Sequence, residues 1–151
     1  MPSKDQMEAE GILRVVVENL IDAQNNLKSI GEDTKSETLR RWFLAESLKR
    51  AEFRGEIEGF LHREGARDID QDGTASAAVV RAWAGLKAKL GGSDQGLLEI
   101  AEEGERSMLT AYADALEMDL PQPVREMLAT QAARVRESHQ YVAAAVAGAA
   151  N

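Results

Sequence analysis

Apolar residues recur at heptad-like spacing through four long stretches of this chain, and clear helix stops separate the stretches. The first row is Leu13, Val16, Leu20, Ala23, Leu27 and Ile30, and the second runs Leu39, Phe43, Glu46, Arg50, Phe53, Ile57 and Phe60. The third is Leu98, Ala101, Glu105, Met108, Tyr112 and Ala115. The fourth is Val124, Leu128, Gln131, Val135, Val142 and Val146, with Ser138 or His139 between them. Even the β-branched cluster Val15 to Val17 sits inside helical periodicity, so the chain reads as all-α.

The punctuation predicts long helices over 4–30, 35–64, 94–118 and 123–147, with a shorter one over 76–90. Ser3 with Gln6, and Thr34 with Glu37, have capping-box spacing. Gly31 and Gly65 stand where C-terminal caps belong. Thr74 or Ser76 can cap the short helix, and Gly91 and Gly92 stop it. Ser93 or Asp94 opens the third long helix, and Pro121 and Pro123 separate it from the fourth, with Pro123 suited to a first turn.

Composition narrows the function classes. A length of 151 residues suits one domain, 1–151, with its own core. The chain has no cysteine, which excludes disulfides and thiolate metal sites, and only two histidines, His62 and His139. A formal charge of −8 argues against nucleic acid or an anionic membrane as partner. No apolar run approaches the ~20 residues of a membrane span, and the polar N-terminus lacks the apolar core of a signal peptide. The expectation is a cytoplasmic protein.

Connection lengths set the topology. The first and last pairs of helices are joined by short turns and form antiparallel hairpins. The long middle connection can return the chain parallel, the ferritin-like pattern of two hairpins and one crossover. With the second and third helices parallel, Glu46 and Glu105, each about eleven residues into its helix, fall at one height. Gln24 and His139, near the ends of the first and fourth helices, fall at the same height. Apolar rows do not casually admit carboxylates, because a buried unpaired one costs several kcal/mol.

At these residues the chain resembles domain-of-unknown-function family 2383, bacterial ferritin-like four-helix-bundle proteins. Its most specific pieces are EEGERSMLTAYADAL, DLPQPVREML and the crossover RAWAGLKAKL, within a resemblance that covers nearly the whole chain. The resemblance implies a fold and no activity.

A ferritin-like di-iron site needs a Glu from each of two helices and a Glu-x-x-His pair from each of the other two. This chain contains no Glu-x-x-His: Gly59 stands three residues before His62 and Arg136 three before His139, while Glu46 is followed by Lys49. Only Glu46, Glu105 and His139 remain as metal ligands. The reading is therefore a metal-free buried polar layer of Gln24, Glu46, Lys49, Arg50, Glu105, Arg136 and His139, with Lys49, Arg50 and Arg136 standing in for the metal charge. Such a layer fixes register without needing to add stability. The function expected is a non-catalytic structural or interaction protein, without cofactor, that forms a homo-oligomer such as a dimer. The alternative is an iron- or manganese-binding ferritin-like oxidoreductase.

Other constellations are weaker. Asp68, Asp70, Asp72 and Gly73 imitate the start of a calcium loop, but its twelfth position is Val79 where a bidentate Glu belongs. His62 suits a helix C-terminus. Trp42 and Trp83 suit either core packing or a dimer face. No serine has a nucleophile's setting, and no glycine-rich phosphate loop is present.

Overall fold

The structure, a computed structural model, describes residues 4–65 and 93–149. Four helices account for nearly all of them: α1 (Lys4–Asp33), α2 (Glu37–Arg63), α3 (Asp94–Leu116) and α4 (Gln122–Ala149). No strand occurs among the described residues. None of their helices is long and apolar enough to cross a membrane. The expected short helix 76–90, the Asp68–Asp70–Asp72 loop, Trp83 and the Ser3 cap lie outside the described residues.

Two helix ends differ from expectation. Gly31 does not cap α1; it lies buried within the helix, which runs on to Asp33. A Cβ there would meet the Leu44 side chain at 3.0 Å and Phe43 Cβ at 3.3 Å, so this glycine serves the close approach of α1 to α2. Thr34 does not cap α2 either, because its hydroxyl turns back to donate to Ile30 O at 2.6 Å. Ser36 is the N-cap, and its Oγ accepts from Leu39 N at 3.3 Å. At the far end of α2, Gly65 adopts φ +86°, where a side chain would be strained. Ser93 caps α3 by accepting from Gly96 N at 3.1 Å.

The apolar rows pack into two clusters at opposite ends of the bundle. One joins Leu13, Val16 and Leu20 of α1 to Ile57 and Leu61 of α2, Tyr112 and Ala115 of α3, and Val124 and Leu128 of α4. The other joins Leu27 and Ile30 of α1, Phe43 of α2, Leu97 to Ala101 of α3, and Val142 of α4. Early α1 thus meets late α2, late α3 and early α4, so α2 and α3 run parallel and α1 and α4 run opposite to them. Asp94 locks the shared N-terminal end of α2 and α3. Its carboxylate accepts from Lys35 N at 2.8 Å and from Ser36 N at 3.0 Å. The polar side chains Glu46, Ser47, Arg50, Glu105, Gln131 and Ser138 are buried in the same interior.

Candidate functional site

The centre of the polar interior is Arg50. It is 0% exposed, on the inward row of α2 between Phe43 and Phe53. A full charge at such depth is tolerable only with charged partners, and the helix geometry supplies them. Glu46, one turn earlier on α2, accepts from Arg50 Nη1 at 3.1 Å. Glu105 of α3 accepts from Arg50 Nη2 at 2.7 Å. The parallel run of α2 and α3 brings these two carboxylates to one height, with the guanidinium between them. The Phe53 ring lies 5.9 Å from the guanidinium carbon.

A second cation closes the group. Arg134 of α4, with 44% of its side chain exposed, reaches inward from the rim and donates from Nη2 to Glu46 Oε1. Two carboxylates therefore face two guanidinium groups, and the group is electrically balanced. Burial pushes the Glu105 carboxyl above its ordinary range. Arg50 opposes that shift most strongly, the Ser138 hydroxyl also opposes it, and Glu46 adds to it. The Ser138 hydroxyl sits close enough to act on Glu105 but meets no partner at full hydrogen-bonding geometry.

A neutral relay continues the polar interior. Tyr112 OH donates to Gln131 Oε1 at 2.8 Å, and Gln131 Nε2 donates to Phe53 O at 3.2 Å. Burial holds the Tyr112 hydroxyl above its usual range, so it is a fixed donor at any physiological pH.

The structure brings together only part of the predicted layer. Glu46, Arg50 and Glu105 meet. Lys49 does not: it is exposed and pairs with Glu52 at 3.2 Å. Arg136 also faces outward, because it is rotated by about 200° from the inward Ser138 at ~100° per residue. Gln24 is half-buried and accepts weakly from Arg54 Nη1 at 3.5 Å, away from the guanidinium. His139 is half-buried beside Glu102, with 3.7 Å between Nε2 and Oε1. His62 is exposed in the last turn of α2. Trp42 stacks on Tyr141 of α4 at 4.2 Å and meets Phe43 edge-on.

Sequence reasoning missed Arg134 as a partner of the layer. The signal was available: Arg134 lies four residues before Ser138 and three after Gln131, at the edge of the inward row. A long side chain placed there can turn its head group inward.

The donor set does not fit a di-metal centre. The two carboxylates of the layer are held apart by a guanidinium, and the one nearby imidazole faces a different glutamate. Among the described residues no three His, Asp or Glu side chains converge as a ligand group. Asp22, on α1, is pushed up to about 6 by burial and by Glu18. It lines a groove of about 570 Å³ between α1 and α3, at which Glu105 also appears.

No curated protein matches this chain. The family match spans residues 8–118, which carries α1, α2 and α3 with Glu46, Arg50 and Glu105 and leaves α4 with Arg134 outside. The chain belongs to the family described as Domain of unknown function (DUF2383).

Proposed function

We propose that this protein is a ferritin-like bundle acting as a non-catalytic structural or interaction protein, with a guanidinium in the position that related bundles give to a di-metal centre. The observation that carries the reading is the wholly buried Arg50 held between Glu46 and Glu105. A di-metal centre sets positive charge among inward carboxylates from facing helices. Here Arg50, with Arg134 behind Glu46, supplies positive charge from the protein itself. A charged group of this kind specifies how the helices register more than it stabilises them.

The same proposal takes the chain 1–151 as one cytoplasmic domain, with the short helix 76–90 in the crossover. It also includes self-association.

Elemental analysis of protein purified without chelator, with a native mass, tests the reading. The expected result is no stoichiometric metal and a mass near twice 16.5 kDa. Near-stoichiometric iron, manganese or zinc overturns it in favour of a metal-binding oxidoreductase.

A further inference from the structure

One donor of the buried guanidinium has no acceptor. Arg50 gives Nη1 to Glu46 at 3.1 Å and Nη2 to Glu105 at 2.7 Å, but its Nε–H meets no partner in the chain. Arg50 is 0% exposed, so bulk water does not reach that N–H. An ionised group with an unmet donor in a core has lost that donor's hydration with nothing in exchange.

A second orphan borders the same carboxylate. Ser138 of α4 is 3% exposed, and its Oγ has no partner at hydrogen-bonding geometry, yet it sits close enough to act on Glu105. Arginine's planar fork puts Nε–H on the edge it shares with Nη2, and the N–H bonds of that edge run parallel. Nη2 is the nitrogen bound to Glu105. The unmet N–H from α2 and the unmet hydroxyl from α4 therefore flank one carboxylate of α3.

Movement of these side chains alone does not satisfy both groups. A two-point grip of Glu105 on Nε and Nη2 needs the guanidinium to swing. Nη1 ties it to Glu46, and Arg134 holds Glu46 from the rim. The Ser138 hydroxyl can turn back to Arg134 O, four residues earlier in the helix, but that leaves the Nε–H unmet. The inward neighbours on α2 and α3, Ser47 and Ala101, are short and buried, which keeps side-chain volume low at this level.

We propose that one water molecule is built into the core here, accepting from Arg50 Nε–H and bridging it to Ser138 Oγ and the Glu105 carboxylate. Three polar partners are the usual complement of a buried water. The water donates one hydrogen to Glu105, and the Ser138 hydroxyl, which both donates and accepts, takes a remaining position. The water ties α2, α3 and α4 at one point, on the edge of the guanidinium that Glu46 does not use. The inference rests on the buried Arg50 and is independent of the functional reading built on it.

The test is a crystal structure of the full chain, fine enough to show ordered waters, with a solution measurement beside it. The map is expected to hold a water within about 3.2 Å of Arg50 Nε and of Ser138 Oγ. In solution the Arg50 Nε–H resonance, assigned by its loss in Arg50→Lys, is expected to show a cross-relaxation peak at the water frequency. Its sign should be that of a bound molecule and not of chemical exchange. The peak should survive in Ser138→Ala, where no hydroxyl proton can relay it. It should vanish in Ser138→Val, whose methyl groups take the water's place. A guanidinium in place with Glu105 gripping both Nε and Nη2, and no water, overturns the proposal and leaves the buried Arg50 standing. A peak that Ser138→Ala removes, or that Ser138→Val leaves intact, overturns it as well. A metal ion at this point, or Arg50 turned out of the core, overturns the water and the functional reading together.

Discussion

Replacing Arg50 by Met keeps an unbranched side chain at this buried position and removes the charge that lies over the Phe53 ring. Arg50 is wholly buried and donates to two buried carboxylates, at 3.1 and 2.7 Å. Glu46 keeps Arg134, but Glu105 loses its cation and retains only the imperfectly placed Ser138 hydroxyl. Breaking a buried pair on one side costs about 3–5 kcal/mol. For a domain of this size each kcal/mol lowers Tm by roughly 2–4 °C, so a fall of about 10 °C is expected. The loss must also depend on pH. The folded Glu105 carboxyl already lies above 4.5, its unfolded value. A carboxyl raised in the folded state contributes stability below the unfolded pKa and loses it as pH rises through the folded one. Without Arg50, the strongest influence opposing that rise, the folded pKa climbs further. Arg50→Met is therefore worst at neutral pH and partly recovers on acidification, and a second change, Glu105→Gln, restores more than half of the loss. Denaturant unfolding followed by circular dichroism at about pH 7.5 and about pH 5 measures both effects. A loss below about 1 kcal/mol, or one equal at both pH values and untouched by Glu105→Gln, would falsify the argument that the Arg50 charge holds these helices in register.

Three further expectations follow from the same interior. Glu46→Gln with Glu105→Gln strands Arg50 without a carboxylate and should cost about 3–5 kcal/mol, read by the same unfolding assay; Lys49 and Arg136, being exposed, have no part in that cost. Tyr112→Phe leaves the buried Gln131 Oε1 without its donor and should lower stability by about 1–2 kcal/mol, with helix content unchanged. Asp94→Ala frees the Lys35 and Ser36 amides at the end where α2 and α3 begin and should cost about 1–2 kcal/mol. Asp94→Asn should recover part of it, and faster hydrogen exchange at those two amides would locate the effect.

Which residues face inward was legible in the sequence. The rows from Leu13 to Ile30 and from Leu98 to Ala115 bury nearly every position that the spacing selects, including Glu105. Helical periodicity fixes the angle of each position around its own axis, so Glu46, Arg50, Glu105 and Gln131 could be named as interior from one dimension alone. Helix stops were less legible. Gly31 carries the letter of a C-cap, yet what uses its missing side chain is Leu44 of the neighbouring helix. Thr34 and Ser36 are both competent caps, and only the packing of Thr34 against Ile30 O decides between them.

The composition of the charged layer belongs to the tertiary structure. The sequence determined that carboxylates and at least one arginine enter the core of an all-α chain. It offered Lys49, Arg50 and Arg136 alike as the compensating cations. Assembly keeps Arg50, turns Lys49 to Glu52, leaves Arg136 on the surface, and recruits Arg134 from the rim of α4. The reason is that periodicity sets directions around one helix axis, whereas a long side chain's head group goes wherever the facing helix presents its charge, and that depends on the height and rotation of two helices relative to each other.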